Sequence, residues 1–510
     1  MALMLNNIPN LCYDYKESRD VMKNIQTLIE AIKNHQDTRA MVTLLKDAVK
    51  ENPIELETDF IFDLLKNDDN KIRKNAAVIV RCCGLEDHEQ EFIELFLKEE
   101  NWIVKNEMIE AIKTFSLKDH LLQLEEFYQS LNTTLEDQNW RHKEEMKGRL
   151  MEIFHYYGSV KHPQFIDLSK KTKVILTTLN TNRELVFDKL ETKNKKMTSM
   201  GILLLADSVR DLEKIRDYNE LLLVLKGFKE ISFDIDAIAE QVINSGLVEQ
   251  LNQMHKGDGL YSFRIETSSL KKDTFKNDEI KRLGLRIQTL SEGKLINNAS
   301  DYDIELRLRE TPKGFCQVFL KLYTYHDPRF AYRKHALATS MQPYVAASIA
   351  DLILPFVTPK AKVIDLCCGS GTLLIERDYI EPCKFLMGID VFNEAIKMAK
   401  ENSELAGVNI HFVQRDLNRF THAHQFDEVM ANLPIQSANK DRKSIETLYM
   451  QFMKKAIELT VPEGFIFVHT SDTEIFKKAM RFYKDQIELI DEKKMTIRRG
   501  RSALFIIQVK

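Results

Sequence analysis

The stretch 362–376 limits most strongly what this chain can fold into. Residues 362–366 form a short apolar run rich in β-forming side chains, Gly369 and Gly371 follow, and a helical pattern begins at Thr372. A strand, a tight glycine turn and a helix in that order direct backbone N–H groups and the positive end of the helix toward a ligand. The stretch therefore predicts a binding loop at the edge of an α/β sheet.

The residues after Gly371 decide between the nucleotide-binding loops of this shape. A phosphate-binding P-loop requires a Lys-Ser or Lys-Thr pair after its second glycine, whereas Thr372 and Leu373 stand here. A dinucleotide-binding loop requires a third small residue three positions after Gly371, and Leu374 stands there. Taken alone, the loop is then either one that binds S-adenosylmethionine (SAM), as in class I methyltransferases, or an ordinary junction between a strand and a helix.

The length and composition indicate a globular protein of several domains. A chain of 510 residues, with 44% hydrophobic and 29% charged side chains, predicts about three domains. The net charge of −4 excludes a surface coated with positive charge, although a local basic groove remains compatible with nucleic acid. Seven cysteines without a CxxC pair indicate reduced thiols, and we expect a cytoplasmic location.

No membrane segment and no metal site are predicted. Residues 1–14 lack the basic start and long apolar core of a signal peptide. The apolar run 344–357 is interrupted by Asp351 and is too short to span a bilayer. His422 and His424 could ligate a metal, but no partners stand at a usual spacing.

Residues 1–160 are predicted to form an N-terminal α-solenoid. Two segments, beginning at Asp59 and Glu91, repeat with an offset of 32 residues. Each combines an apolar helix, an acidic polar turn and a second helix, which is typical of helical hairpins that bury their core by stacking on their neighbours. The region resembles HEAT-like repeats, and we expect four stacked pairs. A docked protein partner is a further expectation, from the architecture alone.

Residues 161–325 are predicted to form a middle α+β region. Strand patterns begin near Val174, Gly201, Leu260, Asp303 and Phe315, with helical patterns between them. The order of these pieces resembles the ferredoxin-like and THUMP pair that precedes the catalytic domain in some RNA methyltransferases. The resemblance implies RNA binding, with Arg264 among the contacting residues. An unrelated α+β linker domain is the alternative.

Two basic segments flank the last domain. The first, 326–335, mixes cations with aromatic rings, which suits phosphate neutralisation and base stacking. The second, 493–501, lies just before the last predicted strand and is predicted to add a local basic lip, with a solvated loop as the alternative. Ordinary solvated charges are the alternative for both. The RNA-contacting residues predicted from these segments are Arg329, Tyr332, Arg333, Lys334, Arg498 and Arg499.

Strand and helix patterns alternate regularly across residues 326–510, which predicts a sheet with helices on both faces. Strands are predicted at 363–367, 385–390, 410–414, 428–431, 464–469, 487–490 and 503–509. Ligands of such sheets bind at the carboxyl ends of the strands, where four successive ends carry Asp365, Asp390, Asp416 and Asn432. An acid such as Asp390 can accept both hydroxyls of a ribose, and Asp416 can accept from an adenine amino group. Any one of them could form a turn, but four in succession predict a ligand site.

This pattern resembles the Rossmann-like class I SAM-dependent methyltransferases over 326–510. The loop from Asp365 to Thr372 is most similar to the Asp-Pro-x-Cys-Gly-Ser-Gly-Thr form of THUMP-containing guanine-N2 methyltransferases, with Leu366 in place of the proline. The resemblance implies SAM as cofactor and a helix near Gln342–Leu354 that closes over it. The implied cofactor-binding residues are Asp365, Cys368, Gly369, Ser370, Gly371, Thr372, Glu376, Asp390, Val391, Asp416, Leu417 and Asn432.

The motif Asn432-Leu433-Pro434-Ile435 supplies the predicted catalytic residues. It corresponds to the Asn/Asp-Pro/Leu-Pro-Tyr/Phe motif of amino-group methyltransferases. The Asn432 side-chain oxygen and the Leu433 carbonyl are expected to accept the N–H groups of the acceptor amine and so orient it. Ile435 replaces the aromatic residue on which a base stacks, which gives up ~1–3 kcal/mol of stacking. Gln436 replaces the glycine common among guanine-N2 enzymes.

The predicted function is a SAM-dependent RNA methyltransferase that forms N2-methylguanosine in tRNA or rRNA, with tRNA as the expected partner. The same motif serves enzymes that methylate adenine N6 or a protein glutamine amide, and a solenoid could present a protein substrate. A non-enzymatic alternative is a degenerate methyltransferase that acts as an RNA-binding or assembly protein, for which Ile435 is the main argument.

Overall fold

The computed structural model describes residues 15–54, 56–84, 88–131, 133–269, 271, 274–436, 441–497 and 500–510, with the side chains of all these residues except 15–23 and 268–269. The chain forms two compact units. The first consists of Met1–Gln164 and Phe228–Gln317, and the second consists of Phe165–Gly227 and Val318–Lys510. No described helix combines the length and the continuous apolar character that crossing a bilayer requires.

Eight helices open the first unit. They are α1 (Tyr15–Lys33), α2 (Thr38–Glu51), α3 (Thr58–Leu65), α4 (Asn70–Cys83), α5 (Glu89–Lys98), α6 (Trp102–Ile112), α7 (Leu121–Ser130) and α8 (Trp140–Tyr157). Successive helices pack in pairs, and α2, α4, α6 and α8 also contact one another in that order. Their shared core is apolar, with Phe92 and Ile109 fully buried. The assignment of these pairs to HEAT-like repeats stays a prediction.

Equivalent polar residues start the second helix of the two repeated segments. The side chain of Asp69 accepts the N–H of Lys71 at the start of α4. The side chain of Asn101 accepts the N–H groups of Ile103 and Val104 at the start of α6. Such caps satisfy backbone donors that have no partner within the helix. The acidic polar turns seen in the sequence are therefore helix caps.

The chain from 164 to 322 contains ten strands and five helices among its described residues. In chain order they are β1 (Gln164–Phe165), β2 (Thr172–Thr177), α9 (Arg183–Lys189), β3 (Lys195–Met197), β4 (Gly201–Ala206), α10 (Arg210–Glu213), β5 (Leu221–Val224), α11 (Ile235–Asn244), α12 (Leu247–Met254), β6 (His255–Lys256), β7 (Tyr261–Ser269), α13 (Asn277–Leu290), β8 (Leu295–Asn297), β9 (Ile304–Glu310) and β10 (Cys316–Leu322). In the first unit, β7 pairs in parallel with both β8 and β9. In the second unit, β3, β4, β2, β5 and β10 are neighbours in that order and antiparallel.

These units differ from the predicted domains 1–160, 161–325 and 326–510. The middle region is divided, because 165–227 packs with the last part of the chain and 228–317 packs with the helices α1–α8. The part of the chain with which a segment packs is not written in its local sequence. The assignment of this region to a ferredoxin-like and THUMP pair stays a prediction.

The second unit ends in an α/β sheet. Its elements are α14 (Pro343–Ile353), β11 (Lys362–Asp365), α15 (Thr372–Ile380), β12 (Phe385–Asp390), α16 (Asn393–Ala406), β13 (His411–Gln414), β14 (Phe426–Asn432), α17 (Arg442–Leu459), β15 (Thr460–Thr470), α18 (Thr473–Phe482), β16 (Ile487–Ile497) and β17 (Gly500–Val509). Short 3₁₀ turns lie at Pro328–Phe330, Leu354–Phe356 and Leu417–Arg419. The strand order is β13-β12-β11-β14-β15-β17-β16.

The first five strands of this order are parallel, and β17 and β16 are antiparallel additions. All seven predicted strands are present. The predicted basic lip from Lys493 lies on a strand as far as Ile497, because β16 continues to that residue and pairs with β17. Arg498 and Arg499 lie outside the described residues.

Candidate functional site

Four neighbouring parallel strands bring the polar side chains of the predicted site to one edge of the sheet. β11 ends at Asp365, β12 at Asp390 and β14 at Asn432. Asp416 follows the end of β13, in the short turn before Leu417. Since β13, β12, β11 and β14 are neighbours in that order, the four residues lie along the carboxyl edge of the sheet.

The glycine loop connects β11 to α15 with two residues in the left-handed region. Gly369 has φ +52° and Gly371 has φ +80°. A Cβ at Gly371 would lie 3.1 Å from the ring of Phe412, so the loop packs closely against β13. A Cβ at Gly369 would meet no described heavy atom within 4 Å. The backbone at Gly369 is therefore open to a ligand, whereas Gly371 serves the packing of the loop.

Asp390 holds the glycine loop against the end of β12. One carboxylate oxygen accepts the N–H of Gly369 at 2.9 Å, and the other accepts the N–H of Phe392 at 3.0 Å. Each carboxylate oxygen can accept further hydrogen bonds, and the side chain is half-buried. The neighbouring Val391 is 54% exposed. An acid and an apolar side chain thus stand side by side at this strand end.

The remaining predicted cofactor residues divide into exposed and buried groups. Asp416 is exposed, with one carboxylate oxygen accepting the N–H of Asn418. Six of the predicted residues are buried beneath the edge: Asp365, Cys368, Ser370, Thr372, Glu376 and Leu417. Burial raises the pKa of Asp365 to about 7, and the nearby charge of Asp390 adds to the shift.

Glu376 on α15 is occupied by partners within its own unit. Its carboxylate accepts two hydrogen bonds from the Arg216 guanidinium, both at 2.8 Å, and one from the Tyr332 hydroxyl at 2.7 Å. Glu376 is 1% exposed. In this structure Glu376 therefore ties α15 to residues 165–227 and supports the glycine loop from beneath.

The predicted catalytic motif, 432–435, is held by hydrogen bonds to the neighbouring strand β15 and helix α17. The Oδ1 atom of Asn432 lies 2.8 Å from Nδ1 of His469, and the N–H of Leu433 donates to the carbonyl of His469 at 3.0 Å. The hydroxyl of Tyr449 donates to the carbonyl of Pro434 at 2.9 Å. These contacts fix the motif from beneath, while Asn432 itself remains half-buried.

The end of the motif opens toward solvent. Ile435 is 39% exposed. The N–H of Gln436 donates to the Asp472 carboxylate at 2.7 Å, which holds the chain after the motif. Sequence reasoning did not single out His469, Tyr449 or Asp472. His469 could have been found from the sequence, because it is a polar residue at the end of the predicted strand 464–469, as the four predicted site residues are at the ends of theirs.

Two of the predicted RNA-contacting residues lie inside the second unit. Arg329 is 4% exposed, and its guanidinium donates to Asp327 and to the carbonyl of Tyr218. Tyr332 is 5% exposed and donates to Glu376. Both side chains serve the packing of the unit, and an RNA surface of this structure does not include them.

The other predicted RNA contacts are more accessible. Lys334 is exposed. Arg333 is half-buried and donates to the carbonyl of Met341. Arg264, in the first unit, is paired with Glu305 and lies 4.1 Å from the centre of the Tyr302 ring. RNA binding by these three residues stays a prediction.

A separate polar cluster lies in the first unit. His155, His162 and Asp301 approach one another, with Nδ1 of His155 2.5 Å from the Asp301 carboxylate. The two imidazole rings lie only 3.7 Å apart, centre to centre. Rings that share one zinc ion radiate from it, which puts their centres about 5 Å apart. The tilted rings, 36° apart in plane, form a hydrogen-bonded cluster in which His162 also contacts Asp303.

Comparison with known proteins identifies the domain that carries the strand-end site. Residues 331–501 match the family model of the RMKL-like methyltransferase domain. This part of the chain is similar to methyltransferase domains and is named the methyltransferase domain. Its cofactor is SAM. The glycine loop, Asp390, Asp416 and the catalytic motif all lie within the matched residues.

Two curated relatives of this chain are named as tRNA methyltransferases. A tRNA (guanine-N(7)-)-methyltransferase of Helicobacter acinonychis is 27% identical over 136 residues, which are 25% of this chain and 33% of that protein. A tRNA (guanine(6)-N2)-methyltransferase of Thermus thermophilus is 25% identical over 234 residues, 44% of this chain and 66% of that protein. The chain thus spans about a third of the first relative and just under two thirds of the second.

Among solved structures, the crystal structure of TrmN from Thermus thermophilus is 18% identical. The match covers 66% of this chain and 100% of that chain, with a TM-score of 0.49.

The polar and apolar groups at the strand ends of the methyltransferase domain fit SAM. The open backbone at Gly369, the half-buried acid Asp390 beside the exposed Val391, and the exposed Asp416 provide acceptors and an apolar surface for a nucleoside. A ribose requires an acceptor for its hydroxyls, and an adenine ring requires an apolar contact and an acceptor for its amino group. All of these are present along one edge of the sheet.

Proposed function

We propose that this protein transfers a methyl group from SAM to the exocyclic N2 amine of a guanine in RNA, with tRNA as the expected substrate. The fastened Asn432 motif carries this proposal, because its contacts hold two acceptor groups at the edge of the cofactor site. The RNA-modifying relatives of the methyltransferase domain support the substrate class.

The acceptors matter because an exocyclic amine is a weak nucleophile. Its lone pair is delocalised into the ring, so the amine must be turned until the lone pair meets the methyl group. In the proposed complex, the Asn432 side-chain oxygen accepts one amine N–H and the Leu433 carbonyl accepts the other. SAM supplies the activated methyl group when bound. The protein's contribution is orientation, together with acceptors for the positive charge that develops on the nitrogen.

The cofactor contacts are proposed residue by residue. Gly369 offers its backbone to the methionine part, Asp390 accepts the ribose hydroxyls, and Asp416 accepts the adenine amino group. Val391 and Leu417 give the adenine its apolar neighbours. Asp365, Cys368, Ser370, Thr372 and Glu376 support the loop from beneath, as their burial indicates.

The target base must leave its stack to enter the site. Ile435 is 39% exposed at the mouth of the motif, where it can pack against one face of the base. An aliphatic contact gives up ~1–3 kcal/mol of stacking, so other RNA contacts have to contribute to binding. We assign part of that contribution to Lys334 and Arg333, which lie within the methyltransferase domain.

The proposal is tested by methyl transfer to transcribed tRNA, with the products identified by nucleoside mass spectrometry. We expect N2-methylguanosine with the wild-type protein. Asn432→Ala should lower kcat about 100-fold or more, because the amine loses one of its two orienting acceptors. Asn409→Ala, at the opposite end of the sheet, is the matched control and should keep its kcat.

The products also separate the alternatives. Formation of N6-methyladenosine, or of a methylated glutamine in a protein fraction, would overturn the assignment of guanine as the acceptor. The proposal of methyl transfer to an amino group would then still stand. SAM binding without transfer to RNA, DNA or protein would overturn the enzymatic proposal. It would instead support a degenerate methyltransferase that acts in RNA binding or assembly.

A further inference from the structure

His469 lies directly beside the catalytic motif, on the strand that neighbours it. β14 and β15 run in parallel, with Asn432 and His469 as partners in the register. His469 is 4% exposed, whereas Asn432 is half-buried. Its ring contacts two side chains: Nδ1 lies 2.8 Å from Oδ1 of Asn432, and Nε2 lies 2.9 Å from the hydroxyl oxygen of Ser502 on β17.

The contact with Asn432 determines where the protons lie. Burial lowers the pKa of His469 to about 4, so the ring is neutral at physiological pH and carries one N–H. Oδ1 of Asn432 is an acceptor only, so the proton must be on Nδ1. Nε2 then accepts, and the Ser502 hydroxyl must donate to it. The result is a directed chain of hydrogen bonds from Ser502 through His469 to Asn432.

In the observed orientation, this chain of hydrogen bonds holds the Asn432 amide. An asparagine amide rotates readily about its last side-chain bond, and a 180° rotation exchanges an acceptor for two donors. With the proton on Nδ1 of His469, rotation of Asn432 would place its NH₂ group against the Nδ1–H, so that two donors would face each other. The Nδ1–H tautomer therefore holds the observed form, in which Oδ1 keeps a second lone pair for another hydrogen bond, whereas the Nε2–H tautomer would accept the rotated form.

The neutral ring suits its place in a SAM-dependent site. SAM carries a positive charge on sulfur, and a second cation beneath the motif would raise the free energy of the bound cofactor. A neutral imidazole donates a hydrogen bond without adding a positive charge. A lysine or arginine at this position would donate a hydrogen bond but would also add that charge.

We propose that His469 is a positioning residue that fixes the Asn432 amide with its oxygen as the acceptor for the substrate amine. This inference rests on the proposed function, because it assigns the second lone pair of Oδ1 to the amine N–H. His469 also accepts the N–H of Leu433 through its backbone carbonyl. One residue thus positions both the side chain and the main chain of the motif.

The kinetic test compares two substitutions in the full-length protein. His469→Leu fills the volume but removes the donor, and it should lower kcat for tRNA methylation about 30- to 100-fold. His469→Asn restores an N–H near the place of Nδ1 and should keep kcat within about fivefold of wild type. Both variants should bind SAM within about threefold of wild type. His424→Leu, at an exposed position of the same domain, is the matched control.

Two kinetic outcomes would overturn the inference. One is a His469→Leu variant whose kcat stays within about threefold of wild type. The other is equal loss of kcat in both variants with unchanged melting temperatures, because a merely space-filling or hydrogen-bonding role elsewhere would then explain the data. Rescue by asparagine alone is the result that supports positioning.

A second measurement does not depend on activity or on the folding of a variant. Long-range ¹H–¹⁵N correlation of wild-type protein labelled at histidine nitrogens reports the tautomer, and the His469 signals are those missing from His469→Asn. We expect the neutral Nδ1–H form at neutral pH. The Nε2–H form or an imidazolium would overturn the inference. If the wild-type protein transfers no methyl group, the proposed function fails, and the tautomer still decides whether His469 fixes Asn432.

Discussion

Asp365 and His469 lie at the carboxyl ends of β11 and β15, and burial shifts their pKa values in opposite directions. The pKa of Asp365 is raised to about 7 and that of His469 is lowered to about 4. Both shifts have the same physical origin, because a dry environment disfavours the charged form of either group. The Nδ1 and Nε2 atoms of His469 are therefore hydrogen-bonding groups of a neutral ring at physiological pH, and Asp365 holds its proton to a higher pH than an exposed aspartate.

The Asp365 shift makes stability depend on pH. The pKa in the folded protein is above the ~3.9 of an unfolded aspartate, so the folded state holds the proton more tightly. This contribution to stability is therefore complete below the unfolded pKa and is lost as pH rises toward 7. Asp365→Asn removes the ionisation and still accepts the N–H of Cys367. We expect it to melt several degrees above wild type at pH 8, about 4 °C or more.

The difference in melting temperature should shrink as the pH is lowered toward 5, and calorimetry or circular dichroism can follow it. Asp485→Asn, at an exposed position, is the control and should show no such trend. The same difference at pH 5 and pH 8 would contradict an ionisation of Asp365.

The positions of single site residues could be predicted from the sequence where those residues end a predicted strand. Asp365, Asp390, Asp416 and Asn432 could be placed together because the alternation of strands and helices shows where parallel strands end. Arg216 and Tyr449 could not be found in this way. Arg216 is about 160 residues before Glu376, and only the tertiary packing joins them.

Helix α15 shows at the element scale how the cofactor loop is supported. The helix begins at Thr372, directly after the loop, and Glu376 lies one turn later with two partners from outside the sheet. Because these contacts are buried, a displacement of Arg216 would leave a carboxylate without compensation. The position of α15, and with it the loop, therefore depends on residues 165–227.

Arg216→Met tests that dependence. Removing one partner of a buried ion pair costs about 3–5 kcal/mol, so we expect the melting temperature to fall by about 10 °C. The double variant Arg216→Met with Glu376→Gln should regain more than half of the loss, since no unpaired charge stays buried. Arg210→Met, at an exposed position nearby, should melt like wild type. A single variant as stable as wild type would show that the pair contributes nothing.

Helices and strands with an apolar pattern could be located from the sequence, whereas a polar strand at the edge of a sheet could not. The predicted helix over Gln342–Leu354 is present as Pro343–Ile353. The strand β16 was predicted to end at Ile490 but continues to Ile497 with mostly polar residues. It is the last strand of its sheet and pairs on one side only. An edge strand can be polar on most of its length, so its sequence looks like that of a loop.

At the scale of the whole molecule, the units are discontinuous in sequence. The second unit needs residues 165–227 as well as 318–510. Asn182 donates to the Ser348 hydroxyl on α14, and Arg329 donates to the carbonyl of Tyr218. A cut at the predicted boundary of 325 would therefore leave several polar groups of the methyltransferase domain without their partners.

Expression of fragments can test this division. We expect the fragment 326–510 to aggregate or to melt at least about 10 °C below the full chain, since Glu376 would lose the Arg216 guanidinium that compensates its charge. A fusion of 165–227 to 318–510 through a flexible linker should recover a soluble fold. Soluble yield and thermal melting by circular dichroism are the measurements. Equal melting of the two fragments would show that 165–227 is dispensable for the domain.

The discontinuity also sets the order of events during synthesis on the ribosome. The segment 165–227 is made first, and the 90 residues of 228–317 must follow before its partners emerge. At about 5–20 residues per second, this delay is roughly 5–20 s, far longer than local strands and helices need to form. The nascent strands β2, β4 and β5 can pair with one another during this delay, but Ile175 and Leu222 wait for Phe319 on β10 to cover them, so we expect this segment to be one that a chaperone shields.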